Sequence, residues 1–334
     1  MRVVWGLVFV IGALVVVRAG IEVAARGEEL ARRFGISELL VGAILIAFVT
    51  SLPEIVTNAS AALTNAPELA VGTVFGSSMA NMAILAVLDL AHRGRVLMSV
   101  ELGQARLAAV AMLLTAIAVL GIVNPSEVEL GWVGIYPMVI AGIYLLTLRW
   151  FRRAPLPAAS TTQSGPAAVA WRVRVQGTAR PVIRFVLGAL ALFVAAPLVV
   201  RAAEHIADDT GISTGFFGVA FLALATSLPE LFTSLAALRL GAYDLAVGNL
   251  LGSNAFNIVS LLVADLFFTS GPIMNAVGSV DVVAGLVAIA LMSVALAAIV
   301  VDPEEQRTGL LDPGPILLLV AYAAGLALAW AAAP

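Results

Sequence analysis

Thr50-Ser51-Leu52-Pro53-Glu54 stands inside an apolar segment running from about Ser37 to Leu63, and the same five residues return as Thr226-Ser227-Leu228-Pro229-Glu230. A proline within a helix has no N–H for the carbonyl four residues back, and its ring pushes that carbonyl aside. Pro53 therefore frees the carbonyl of Val49, Pro229 frees that of Ala225, and each helix must bend. In hydrocarbon an unpaired carbonyl survives only where it lines a cavity or meets a ligand, and an ionised Glu at mid-membrane costs about 2.5 kcal/mol or considerably more. Each copy thus gathers carbonyls, hydroxyls and a carboxylate, the oxygen set that binds hard cations.

The surroundings are hydrocarbon because 61% of the 334 residues are hydrophobic and 12% charged, with a mean hydropathy of +1.06, against about 45–50% apolar and 25% charged in soluble domains. Apolar runs of about 20 residues predict ten spans near 3–24, 37–64, 68–90, 102–123, 128–150, 182–203, 212–239, 243–268, 278–301 and 313–333, the third and eighth being the least uniform. With no cysteine, disulfides and thiolate metal sites are excluded. All 18 basic residues are Arg, and only Arg2 and Arg201 fall outside the side of the odd-to-even loops. The positive-inside rule then predicts an integral protein of the plasma (inner) membrane with both termini outside and a cytoplasmic 151–181 connection. Reading the first run as a signal peptide, with Arg2 before it and Arg18-Ala19-Gly20 after it, leaves nine spans and breaks the repeat described next.

Sliding the sequence by 176 residues aligns Gly35–Leu90 with Gly211–Leu266 without a gap, and 24 of 56 positions are identical, where apolar composition alone gives about one match in ten. The expected fold is an all-α membrane protein of ten transmembrane helices in two five-helix repeats, 1–150 and 182–334, joined by the linker 151–181. Five spans per repeat force the second copy to enter from the opposite side, the inverted topology of many secondary transporters. The linker is rich in Pro, Ala, Ser and Thr and ends in the interfacial anchor Trp171-Arg172-Val173-Arg174-Val175. It is too short for a regulatory domain.

Span one turns amphipathic after Arg18, through Glu22, Arg26, Glu28 and Glu29, which suits packing or sliding against the core. Ser37 and Ser213 stand where N-caps belong. Ala47, Thr50, Ser51, Glu54 and Asn58 share one helical face, as do Ala223, Thr226, Ser227, Glu230 and Ser234. Next, both halves read Leu-Ala-Val-Gly and then Gly-Ser, continuing Gly76-Ser77-Ser78-Met79-Ala80-Asn81 and Gly252-Ser253-Asn254-Ala255-Phe256-Asn257. Ser77 with Asn81, and Ser253 with Asn257, point one way, and Gly72, Gly76, Gly248 and Gly252 allow close helix packing. Spans 4, 5, 9 and 10 read as scaffold.

No basic residue stands at mid-span to pair with Glu54 or Glu230, which leaves protonation or a bound cation. Thr50 and Thr226 are ligands or bond back to their own helices. Asn81 and Asn257 are ligands or interhelical hydrogen bonds. Asp89 and Asp265, at helix ends, are expected to be solvated at the interface. His92 and His205 lie at the surface, and Glu68 and Asp244 begin helices where a carboxylate suits the dipole.

With these motifs the chain resembles the cation/calcium exchanger superfamily, whose two inverted repeats carry Gly-Thr-Ser-Leu-Pro-Glu and Gly-Ser-Asn-hydrophobic-Phe-Asn/Asp. The resemblance implies one central metal site from Glu54, Ser51, Thr50 and the Ala47 carbonyl with Ser77 and Asn81, joined by Glu230, Ser227, Thr226, the Ala223 carbonyl, Ser253 and Asn257. It implies exchange of calcium, or another divalent cation, for sodium or protons. The chain departs from the pattern at Val49 and Ala225, where relatives have Gly, and at Ser78-Met79-Ala80, where they have Asn-hydrophobic-Phe. Both halves end in Asn, where the potassium-dependent branch has an Asp linked to potassium use, so no potassium requirement is expected.

The expected function is therefore secondary antiport, with calcium and sodium (or protons) as transported ions, no cofactor, no enzymatic activity, and inorganic cations and the lipid bilayer, not nucleic acid, as partners. A passive cation channel is the alternative, and it needs a continuous polar path that the apolar scaffold does not offer. An intramembrane hydrolase needs an Asp pair or a Ser/His arrangement within the spans, but both His lie at the surface, and no nucleotide-binding Gly-x-x-x-x-Gly-Lys motif supports a pump.

Overall fold

The computed structural model describes residues 2–34, 37–92, 96–151, 179–207, 214–300 and 313–333. Its helices are α1 (Arg2–Phe34), α2 (Glu38–Leu40), α3 (Ala47–Thr50), α4 (Leu52–Leu63), α5 (Pro67–Ala91), α6 (Gly103–Val123) and α7 (Ile135–Phe151), then α8 (Ala179–Ala207), α9 (Thr214–Phe217), α10 (Ala223–Thr226), α11 (Leu228–Arg239), α12 (Tyr243–Phe267), α13 (Ser279–Val300) and α14 (Pro313–Ala332). Two π-helical stretches, Val41–Ile46 and Gly218–Leu222, lead into α3 and α10. Among the described residues seven helices are long and apolar enough to cross a membrane, or nine if each of the two bent pairs is one span, and Ile135–Arg149 is a shorter apolar helix. The chain is an α-helical integral membrane protein.

Its outer face is apolar, with Leu7, Leu14, Leu145, Leu146, Leu187 and Leu317 all more than half exposed, as a surface solvated by lipid tails requires. The core is built around α5 and α12. Both are continuous 25-residue helices, buried along most of their length. Their apolar runs look uneven because the polar residues face protein and not lipid. α12 packs on α6, α4, α5 and the first π stretch, α5 on α13, α14 and the second π stretch, and α1 lies along α8 and α11.

The glycines on α5 and α12 show how closely these elements approach. A Cβ at Gly72 would lie 2.9 Å from the Gly215 carbonyl, and one at Gly248 would lie 3.1 Å from that of Leu39. At Gly76 it would strike the Val219 carbonyl, and at Gly252 that of Ala43. Gly42 lies against Leu245 and Asn249, and Gly218 against Leu69 and Thr73. Every one of these contacts recurs 176 residues on with the halves exchanged, so each half's long helix grips the other half's π stretch.

Several expectations are corrected. α1 runs on to Phe34 because its charges pair along the helix and with α8: Arg26 with Glu22 (3.3 Å) and Glu29, Arg32 with Glu28 (3.1 Å), and Arg184 with Glu22 (3.7 Å), pairings that support helix at these spacings. Span five does not begin at 128. Glu129–Leu130 pairs with Val133–Gly134 in a small antiparallel hairpin turned at Gly131, whose φ of +72° a helix cannot contain, and α7 starts at Ile135. Ser37 Oγ accepts the Leu40 N–H at 3.3 Å, as a cap does. Ser213, the His205 side chain and residues 152–178 of the linker, including its Trp-Arg anchor, lie outside the description.

Candidate cation site

Both Thr-Ser-Leu-Pro-Glu copies break their helix at the serine. Ser51 has φ −84° and ψ 1°, Ser227 has φ −83° and ψ 5°, and the arms meet at 45° and 40°. The prolines then open α4 and α11, each at the N-terminal turn, where a missing N–H is tolerated. Glu54 and Glu230 fall in those first turns, so each carboxylate sits at the positive end of a short helix.

All twelve residues anticipated from the sequence are buried to 1% exposure or less, in one layer where the bent helices meet α5 and α12. Ser51 Oγ donates to Glu230 Oε1 across the halves at 3.4 Å, and Ser253 Oγ donates to the same oxygen at 3.3 Å. Thr50 Oγ1 lies 3.4 Å from Ser253 Oγ, and Thr226 Oγ1 lies 3.1 Å from Ser77 Oγ. Both threonines also bond back, Thr50 to the Ile46 carbonyl at 3.1 Å and Thr226 to that of Ala223 at 3.1 Å. The Ala47 and Ala223 carbonyls each accept the serine N–H four residues on, at 3.0 Å.

Six buried oxygens of these twelve residues have no hydrogen-bond partner: both of Glu54, Oε2 of Glu230, Oγ of Ser227, and Oδ1 of Asn81 and Asn257. Among the described residues no Arg pairs with either glutamate. Arg26, Arg32, Arg33 and Arg184 all pair with carboxylates of α1. Nor does any group of three or more His, Asp or Glu gather among the described residues. The donors are thus two carboxylates with hydroxyl and amide oxygens, which suits a hard cation and not a transition metal.

Some polar residues of this layer were not anticipated in their roles. Asn249 accepts from Thr50 Oγ1 at 3.1 Å and donates to Ser234 Oγ at 3.0 Å. Its spacing of four before Ser253 was the available signal. Asn58 Nδ2 donates to Ser260 Oγ at 3.2 Å, and Asn81 Nδ2 donates to Asn254 Oδ1 at 2.9 Å.

Asp89 and Asp265 are not solvated at the interface. Both are fully buried. Asp89 accepts the Val96 and Leu97 N–H groups at 2.7 and 3.2 Å, and Asp265 those of Gly134 and Ile273 at 2.7 and 2.6 Å. Backbone donors in the loops replace water. Asp244 begins α12 as expected, and it also accepts the Glu101 N–H at 2.8 Å. Outside the spans, burial raises the Glu101 carboxyl above its ordinary value, and nearby Asp244 adds to the rise.

The sequence profile of the sodium/calcium exchanger protein family matches residues 4–150 and 181–331. The inner membrane protein YrbG of Escherichia coli is 31% identical over 264 residues, 79% of this chain and 80% of that one. The sodium/calcium exchanger MaX1 of Methanosarcina acetivorans is 25% identical over 340 residues, covering 81% and 88%. Among solved structures, the sodium-calcium exchanger NCX_Mj soaked with sodium and strontium superposes with a TM-score of 0.70 over 98% of this chain and 99% of that one, at 24% identity, a likeness of fold.

Proposed function

This chain belongs to the sodium/calcium exchanger family, and from that premise we propose that it exchanges calcium outward against sodium or protons entering through one central site. The observation that carries the reading is the set of six buried, unpartnered oxygens on Glu54, Glu230, Ser227, Asn81 and Asn257. Two carboxylates bring a formal charge of about −2, which one divalent ion or two monovalent ions neutralise, so the ions compete for the site. The empty, doubly charged site is too costly to carry through hydrocarbon, and exchange is then obligatory.

The reading takes the twelve residues as the ion ligands. The Ala47 and Ala223 carbonyls, which also accept the Thr50 and Thr226 hydroxyls at 3.3 and 3.1 Å, join when those hydroxyls turn away. It takes the seven long helices, the two bent pairs and α7 as ten spans, in two inverted repeats, 1–150 and 182–334. Both termini lie outside, in the plasma membrane, with 151–181 in the cytoplasm, and the site opens alternately to each face. The contacts exchanged between the halves support this arrangement. The ions are cargo, and neither a cofactor nor enzymatic chemistry enters. A passive channel is not favoured, since the polar residues end in apolar scaffold.

The test is calcium uptake into proteoliposomes under an imposed sodium gradient, repeated with a proton gradient. Gradient-driven uptake is expected with one of them. Flux that ignores both gradients and runs at channel rates would refute exchange.

A further inference from the structure

Contacts between the halves come in exchanged pairs: Ser77 with Thr226 at 3.1 Å answers Ser253 with Thr50 at 3.4 Å, and the glycine crossings pair in the same way. One pair is broken. Asn81 Nδ2 donates to Asn254 Oδ1 at 2.9 Å, while Asn254 Nδ2 donates to the Ser78 carbonyl at 3.4 Å. The exchanged counterpart has Asn257 Nδ2 donating to a side-chain carbonyl at position 78, which is to Asn254 as Asn81 is to Asn257, 176 residues back. Position 78 is Ser, and its hydroxyl turns onto its own helix, to the Val74 carbonyl at 3.1 Å. Asn257 is consequently buried at 0% exposure with neither Nδ2 nor Oδ1 partnered, whereas Asn81 lacks a partner only at Oδ1.

We propose that Ser78 is a positioning residue that sets ion affinity by leaving the Asn257 amide unpinned. Asn81, held through its N–H, has only its carbonyl oxygen to offer. Asn257 turns either end inward: its oxygen to a bound cation, or its N–H to a carboxylate once the cation has left. An amide that compensates the site in both conditions narrows the free-energy gap between them, so binding is weaker and release faster than with two pinned amides. The serine hydroxyl itself contributes nothing to the ions. This inference rests on the site being the cation site proposed above.

The test compares the unmodified protein with Ser78→Asn, Ser78→Ala, Asn257→Ala and Ser78→Asn/Asn257→Ala, measuring calcium Kd by calorimetry and KM and kcat of exchange in proteoliposomes. Ser78→Asn supplies the missing acceptor and is expected to tighten calcium binding about three- to tenfold, the size of one side-chain immobilisation, with KM and kcat falling together. Ser78→Ala is expected to match the unmodified protein, and Ser78→Asn to change nothing when residue 257 is Ala. Should Asn at 78 prevent folding, Asn254→Ser gives the converse: it releases Asn81 and loosens binding by a similar factor. An unchanged Kd in the folded Ser78→Asn protein, or a change that persists without Asn257, overturns the proposal while leaving exchange intact. An unmodified protein that neither binds nor moves calcium overturns the functional reading instead.

Discussion

Replacing Glu54 with Gln is expected to move two quantities in opposite directions. Neither Glu54 oxygen receives a hydrogen bond from the protein, whereas Glu230 Oε1 receives two from hydroxyls. A buried group without partners costs about 1–3 kcal/mol, and more when charged. Gln keeps the shape and removes the charge, so the chelator-treated variant is expected to be more stable by about 1–3 kcal/mol. With calcium present the sign reverses. A divalent ion facing one carboxylate leaves a buried charge uncompensated, and breaking such a pair costs about 3–5 kcal/mol. At about 1.4 kcal/mol per tenfold, the Kd rises by about two to three and a half powers of ten. Thermal melting in detergent at pH 8, first in chelator and then with calcium, reads both effects. Calcium at a hundred times Kd stabilises the unmodified protein by about 2.7 kcal/mol, and the same concentration is expected to leave E54Q unmoved. Glu230→Gln loses the calcium response equally but gains less in chelator, because its charge was already hydrogen-bonded. A lower melting temperature of E54Q in chelator, or a calcium response like the unmodified protein's, would refute the reasoning.

Three further outcomes are expected. Pro53→Ala returns an N–H donor to the Val49 carbonyl and is predicted to weaken calcium binding about two- to tenfold, the worth of one hydrogen bond; unchanged affinity by calorimetry means that freeing this carbonyl does not shape the site. Gly252→Ala drives a methyl into the Ala43 carbonyl, whereas Gly142 has nothing within 4 Å. The first is predicted to lose about 1–3 kcal/mol and Gly142→Ala to gain about 0.5–1 kcal/mol, and equal melting temperatures of the two purified variants contradict the packing argument. Exchange is predicted not to require potassium, because Asn257 is neutral and cannot balance another cation in a low-dielectric site; flux that vanishes on potassium withdrawal, with the membrane potential clamped, overturns this.

The bend, the shared polar face and the twofold repeat were legible because each depends on local chemistry: a proline without an N–H, hydroxyls and a carboxylate at helical spacing, and identities at one fixed offset. The π stretches at Val41–Ile46 and Gly218–Leu222 were not, since both are apolar at every position and an extra residue in a turn had no polar pattern to shift. Asp89 and Asp265 were misjudged because a helix-end carboxylate in an apolar chain reads as interfacial unless the loops that fold over it are known. The hairpin at 129–134 lies at the start of the stretch read as span five, where Glu129 and Gly131 hinted at a turn. Asn249 and Ser78 matter through partners about 175–200 residues away in sequence, a pairing that spacing within one helix cannot disclose.

The grip of each half's long helix on the other half's π stretch has a consequence for biosynthesis. Gly76 closes against Val219, which is made 143 residues later, and at about 5–20 residues per second a ribosome needs about 7–29 s to supply it. During that interval the newly inserted first half holds Glu54, Asn58, Ser77 and Asn81 among lipid tails or insertion machinery, without the helices that will enclose them. The second half meets no such delay, because its partners are already in the membrane when it emerges. Exposure to quality-control proteases is therefore lopsided in time, and falls on the half of the chain made first.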